Sequence, residues 1–271
     1  MNFYDKFTPE GSRDILFEDC VARQKTQNTI MESLYTRGFR PVTTPAMEFY
    51  DLFGVNRYFS QESMYKLVDA QGRILVLRPD STIPIARLTA TKLQNEPYPI
   101  RLCYCQTAYR AAPSLRGQLS EIAQCGAELV GCGGAKADLE MLLTAADCLR
   151  ACNAKPFTLE IGHIGIFKAL IDELDASTLQ KEEIRQLIEA KNDTALSGLL
   201  EDLPISPASR ALNRLPRLFG GADVFVQAAD LSQSAAFQAA LQELERLYRR
   251  IMQADPAAQV LVDFGLVNQA E

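Results

Sequence analysis

The sequence predicts a mixed α/β (α+β) chain, an antiparallel sheet flanked by helices and interrupted by a long helical segment. Three observations carry this reading. Stretches with the two-residue period of strands alternate with stretches of the three-to-four-residue period of helices. Two apolar-rich runs, 100–109 and 120–130, flank a loop at 111–119 and form a long antiparallel hairpin. Between 166 and 254 strand signals vanish and only helical ones remain.

In chain order, residues 17–36 read as a helix stopped by Gly38, the residue type that accepts the left-handed conformation after a helix. A short strand at 39–43 follows. RILVL at 73–77 is a compact strand ended by Pro79, and 83–93 is a helix whose Pro84 lies in the first turn, where a missing N–H costs little. After the hairpin come a helix at 136–152 and a strand at 157–161. The helical stretch divides into 168–174, 181–191, 195–203, 206–215 and 234–253. In the last of these Phe237, Leu241, Leu244, Tyr248 and Ile251 form a single apolar stripe. QVLVDFGLV at 259–267 then has the apolar density of a buried strand. The expected organisation is a core at 1–165, a helical insertion at 166–254 and a return to the core sheet at 255–271, with no internal repeat.

Composition limits the function classes. With 271 residues, 47% hydrophobic and 23% charged, the chain can bury one large domain or one and a half. No basic segment followed by an apolar run opens the chain, and no stretch approaches the roughly 18 apolar residues of a membrane span, so a soluble, cytoplasmic protein without a membrane role is expected. A net charge of −6 and a pI near 5.1 argue against nucleic acid as an electrostatic partner. Seven cysteines, an odd number, predict reduced thiols. Cys103-x-Cys105 and the single histidine, His163, do not make a zinc site, so neither metal nor other cofactor is expected. Cys103 and Cys105 share a strand face, Cys148 and Cys152 lie one helical turn apart, and all read as small packing residues.

The hairpin carries the candidate site. In a strand Gln124, Gly126 and Glu128 look one way and Cys125, Ala127 and Leu129 the other. On the partner strand Arg110 shares a face with Gln106 and Tyr104, so an amide, a carboxylate and a guanidinium converge if the register permits. Burying Arg110 with Glu128 costs several kcal/mol unless they pair or meet a ligand. On this ground alone two readings stay open, an ion pair on an exposed sheet face and a ligand site. Other features read plainly. The segment 131–136 lacks the spacing of a phosphate-binding loop and is a turn before a helix. His163 has no acidic or cysteine cluster beside it, and Arg246, Arg249 and Arg250 with Glu243 and Glu245 form a solvated, ion-paired helix face.

Short matches in fixed order, Arg78-Pro79-Asp80-Ser81-Thr82, Tyr109-Arg110, Gln124 and Glu128, then Phe264-Gly265-Leu266-Val267, resemble the catalytic core of histidyl-tRNA synthetase. The resemblance implies a class II aminoacyl-tRNA synthetase-like core. The opening Pro9-Glu10-Gly11-Ser12-Arg13-Asp14 is similar to that family's P-x-G-x-R-D start, and Gly38-Phe39 with Pro45 and Glu48 resembles the first class II motif, which implies a homodimer interface. Leu77 to Thr82 resembles L-R-P-E-x-T, whose acid and threonine hold the amino acid's ammonium, and Asp80 is one methylene shorter than that glutamate. Tyr109-Arg110 resembles the second class II motif, whose arginine grips phosphate and carboxylate oxygens as a planar fork. Gln124 and Glu128 match positions that contact the substrate histidine. The resemblance thus implies a histidine-binding set of Asp80, Thr82, Arg110, Gln124 and Glu128.

Departures from the pattern decide the expected function. The motif-two loop of the synthetases reads F-R-x-E-R-P-Q-x-G-R; here YRAAPSLRGQ puts Ala112 at the glutamate and Pro113 at the arginine, and the aromatic residue expected beneath adenine is Ile122. An alanine cannot orient ATP by hydrogen bonding. The segment L-V-R-G-L-D-Y-Y appears as LVNQAE, with Asn268 in place of the arginine, and the third motif and the anticodon-binding domain do not follow. Loss of such an electrostatic group costs about 10²–10³ in rate. The relatives that fit are the regulatory subunits of ATP phosphoribosyltransferase. That resemblance implies no catalysis by this chain, assembly with a short-form catalytic subunit, and feedback by L-histidine in the first step of histidine biosynthesis. The alternatives are a histidyl-tRNA synthetase core fragment that forms histidyl-adenylate, and a paralogue repurposed for tRNA or kinase regulation. The sequence is also shorter than expected for the regulatory family, lacking the last strands of the core.

Overall fold

The computed structural model describes residues 6–54, 59, 61–111, 118–154 and 156–267. They form two compact units: described residues up to 133 together with 144–154, and 134–143 together with described residues from 156 on.

The first unit opens with α1 (Phe17–Thr36), ended where Gly38 takes φ +79° and donates to the Tyr35 carbonyl at 2.9 Å. It continues with β1 (Arg40–Pro41), β2 (Met47–Phe49), α2 (Asp51–Gly54), β3 (Lys66–Val68), β4 (Ile74–Leu77), α3 (Thr82–Lys92), β5 (Ile100–Tyr109) and β6 (Glu121–Val130). β5 and β6 form the long antiparallel hairpin in unbroken register from Ile100 opposite Val130 to Tyr109 opposite Glu121, and β1 joins β5 in parallel. Alternation places Ile100, Leu102 and Tyr104 on one face, where Ile85 of α3 packs on them. α3 is thereby fixed over the same face as Gln124 and Glu128.

A second sheet, in the order β2-β4-β3, is antiparallel throughout. Val76 faces a small core with Phe53, Met64 and Ile83. Its other face carries Met47, Phe49, Leu67, Leu75 and Leu77, and Met47, Phe49 and Leu67 are exposed. Buried Arg78 ties the unit together: Nη1 donates to the carbonyls of Thr44 at 2.7 Å and Pro45 at 3.0 Å, and Nε to that of Thr107 at 2.8 Å. Gly11, at φ +77°, lies so close to Ser120 that a Cβ would strike it, and its carbonyl accepts from the Ser120 N–H at 2.7 Å.

α4 (Ala135–Ala151) supplies residues to both units. The second unit continues with β7 (Leu159–Ile161), α5 (Ile164–Asp172), α6 (Thr178–Glu189), α7 (Asp193–Glu201), α8 (Pro207–Arg214), β8 (Phe219–Gly220), α9 (Asp223–Ala228), α10 (Ala235–Ala254) and β9 (Val260–Asp263). Serine caps begin three helices: Ser177, Ser206 and Ser234 each accept from a backbone N–H of the first turn. The apolar stripe of α10 is as expected, with Phe237, Leu241, Leu244 and Ile251 buried among Leu170, Leu212 and Val262, and Tyr248 edge-on to Phe225 at 5.7 Å.

Three sequence expectations change. The compact units divide at 133 and 156, whereas the sequence reading set its boundary at 165; β7 pairs in parallel with β9 and so belongs with the helices. Residues 166–254 also contain β8, which pairs with β9. Finally, Cys105 and Cys125 are directly opposed across the hairpin, with Cα atoms 4.1 Å apart and their sulfurs in contact, a pairing that the reading of the cysteines as separate packing residues did not foresee.

Candidate functional site

The turn from β4 into α3 builds the floor of the site. Asp80 is fully buried, and its Oδ1 accepts the N–H of Thr82 at 2.6 Å and of Ile83 at 3.3 Å. A short acidic side chain here satisfies the first orphan amides of α3 and places negative charge at the helix start, both stabilising. Its second oxygen, Oδ2, lies 3.4 Å from Gln124 Nε2 on β6. One turn position on, Thr82 Oγ1 donates to Glu128 Oε1 at 2.9 Å. Arg110, just past β5, donates from Nε to the Pro79 carbonyl at 2.9 Å, and its guanidinium stands 5.4 Å from the centre of the Phe59 ring. All five predicted side chains therefore gather around the 78–82 turn and the facing stretch of β6.

The other two side chains expected on this surface have different work. Gln106 accepts from the Thr44 N–H at 3.2 Å and donates to Thr44 Oγ1 at 3.0 Å, fixing the segment after β1. Buried Tyr104 lies across Gly126, where a Cβ would come within 2.5 Å of the phenol oxygen and 2.6 Å of Cζ. Gly126 thus leaves the space in which the Tyr104 ring passes over the strand between Gln124 and Glu128.

Sequence reasoning placed Arg78 and Glu48 within matched motifs but missed their supporting roles. Arg78 sits beneath the turn on three backbone carbonyls, and burial pushes its pKa down. Glu48 is buried and pairs with Arg87 of α3 at 2.6 Å. Neither is distinguishable from an ordinary surface charge without knowing which face it takes. Among the described residues, Gln124 Oε1, Ser81 Oγ and Arg87 Nε are buried without a hydrogen-bond partner. The Gln124 oxygen matters most, because the same amide reaches the Asp80 carboxylate through its nitrogen. Two carboxylates and an amide oxygen suit an ammonium or an imidazole N–H, and the Arg110 fork suits a carboxylate.

The positions that correspond to a synthetase's nucleotide side are less fully described. Ile122 is exposed and helps line a cavity of about 350 Å³ with Gly11, Arg13, Arg23, Leu119 and Ala123. Ala112, Pro113 and Asn268 lie outside the described residues. In the second unit, Asp263, preceding the FGLV segment, is buried and accepts from the Gly265 N–H at 2.7 Å. Among the described residues no three His, Cys, Asp or Glu side chains group as metal ligands, and no helix is long and apolar enough to cross a membrane. His163 caps α5 through Nδ1, which accepts from the Gly165 N–H at 3.0 Å.

Known proteins resemble this chain in sequence and fold. The histidyl-tRNA synthetase family profile matches residues 11–271. The ATP phosphoribosyltransferase regulatory subunit of Clostridium kluyveri is 38% identical over 266 residues, covering 97% of this chain and 68% of that protein. The chain belongs to this regulatory-subunit family. The regulatory subunit of Clostridium acetobutylicum is 40% identical over 267 residues, covering 97% of this chain and 66% of that protein. A solved structure from Bacillus halodurans, described as an ATP phosphoribosyltransferase regulatory subunit/histidyl-tRNA synthetase, matches with a TM-score of 0.89 at 31% identity, covering 98% of this chain and 70% of that one. The class II synthetase-like fold expected from the sequence is therefore present. The chain spans about two thirds of the length of these regulatory subunits.

Proposed function

We propose that this chain is a non-catalytic, cytoplasmic regulatory subunit of ATP phosphoribosyltransferase. It assembles with a short-form catalytic subunit that transfers phosphoribosyl from phosphoribosyl pyrophosphate to ATP, and it confers feedback by L-histidine. The observation that carries this reading is the 38% identity to a regulatory subunit across 97% of the chain. Ala112 and Asn268, standing where a synthetase needs charged groups for adenylate formation, support it from the side of chemistry. An acidic chain gives no reason to add tRNA as a partner.

In this reading Asp80, Thr82, Gln124 and Glu128 receive the ammonium and imidazole of histidine and Arg110 its carboxylate. The homodimer forms through the first-motif side of the first unit, where the sheet face of Met47, Phe49, Leu67, Leu75 and Leu77 supplies apolar surface. Titration calorimetry with L-histidine tests the pocket: Gln124→Ala with Glu128→Ala weakens binding about 100-fold, two lost charge-assisted or buried hydrogen bonds at about 1.4 kcal/mol each. Unchanged affinity in that double variant would remove both residues from the pocket. The synthetase alternative predicts histidine-dependent ATP–pyrophosphate exchange by the chain alone, and the regulatory reading predicts none.

A further inference from the structure

The hairpin that carries Gln124 and Glu128 bears a second chemical feature on its opposite face. Cys105 and Cys125 occupy directly opposed positions, with Cα atoms 4.1 Å apart and their sulfurs in contact, one step along from the opposed pair Gln106 and Gln124. Both cysteines are half-buried, within reach of a small reagent. We infer that Cys105 and Cys125 are a reversible dithiol/disulfide site, whose oxidation fastens β5 to β6 behind the candidate pocket and whose reduction frees the two strands to move.

The position of the pair, more than the presence of cysteine, makes it specific. Opposed residues of an antiparallel pair bring their Cβ atoms within about 4.5–5.5 Å. Neighbours two apart on one strand are about 6.7 Å apart at Cα. Cys103, on the same face of β5, stands opposite Ala127 and so faces no thiol across the hairpin. It is fully buried, and burial pushes its thiol pKa up, which suppresses the thiolate needed for exchange. Cys20, Cys132, Cys148 and Cys152 are free thiols elsewhere in the chain.

The chemistry balances with a low-molecular-weight disulfide such as glutathione disulfide as oxidant. One protein thiolate attacks it, giving a mixed disulfide and one glutathione thiol; the second protein thiolate displaces the other. Two protein thiols lose two electrons and two protons, and two molecules of glutathione are formed. A dithiol reductant reverses the sequence. The cross-link spans a sequence separation of 20 and encloses Arg110 and the loop after it. Closing that loop removes open conformations of the hairpin, which restricts the movement of Gln124 against Asp80. The effect on histidine rests on the pocket reading proposed above.

The test uses the whole chain poised in glutathione buffers from fully reduced to fully oxidised, with alkylation, peptide mapping and amide hydrogen exchange. The expected result is joint loss of label at Cys105 and Cys125 with one two-electron midpoint, and at least about tenfold slower exchange of β5 and β6 amides in the oxidised form. Cys105→Ser removes the redox dependence of exchange; Cys125→Ala does the same and guards against misfolding of the first variant. Independent labelling of the two cysteines at every poise, or identical exchange in both forms, overturns the proposal. Histidine titrations of the two forms separate the readings: binding to neither form defeats the pocket, while labelling and exchange still decide the cross-link.

Discussion

Asp80 caps the start of α3 and belongs to the proposed histidine pocket, and substitutions separate the two roles. Asp80→Asn keeps an acceptor for the amides of Thr82 and Ile83, whereas Asp80→Ala loses it. The alanine variant should therefore lose about 1 kcal/mol of stability in chemical denaturation and the asparagine variant much less, while both bind histidine more weakly. Equal stability in the two would show that the cap contributes nothing. Gly126 makes an equally local prediction. A methyl there meets the buried Tyr104 ring, so Gly126→Ala should cost about 1–3 kcal/mol, and Tyr104→Leu in the same chain should recover part of it. Additive losses would mean that the two residues do not touch. Arg78→Met strands three buried carbonyls and should cost about 3 kcal/mol or more. The candidate residues were picked out because their order along the chain matched a known pattern, and the structure gathers them around one turn. Arg78 and Gln106 were not legible in these roles, because their partners are backbone groups and a threonine brought close only by the fold.

Among elements, those with long periodic signals were read almost to the residue. α1 ends as Gly38 dictates, β5 and β6 pair along their whole length, and α10 buries its stripe. β3 and β8 escaped notice because three and two residues with no buried alternation give no period to detect. Register was likewise hidden, so the direct opposition of Cys105 and Cys125 emerged only with the hairpin in place. The β7–β9 pair supplies a pH-dependent test. The Glu160 carboxyl shares a hydrogen bond with Asp263, which holds its pKa above the ordinary 4.5, with burial adding to the shift and Lys191 opposing it. Folded Glu160 therefore binds its proton more tightly than the unfolded chain does. Its stabilising contribution is full below 4.5 and is lost as pH rises through the raised folded value. Glu160→Gln, which stays neutral, should melt slightly higher than the parent at neutral pH, with the gap closing below the ordinary carboxylate value. A gap independent of pH would contradict that account.

At the scale of the molecule, the five candidate residues all belong to the first unit, while the FGLV segment belongs to the second. The sequence placed both in one pattern but divided the chain at 165, because a three-residue strand does not announce its partner and β7 turned out to pair with β9. The exposed apolar face of the second sheet makes a further whole-molecule prediction. Phe49→Asp should shift sedimentation from dimer to monomer without lowering the melting temperature, and an unchanged dimer would place the interface elsewhere. The central claim is regulation of a partner's chemistry, and the most direct measurement is phosphoribosyl-ATP formation by a cognate short-form catalytic subunit across a histidine titration, with and without this chain. The account predicts that the chain raises the rate and makes it sensitive to histidine, with sensitivity lost on Gln124→Ala and Glu128→Ala. A rate unaltered by the chain at every histidine concentration, with no co-elution of the two proteins, would contradict it.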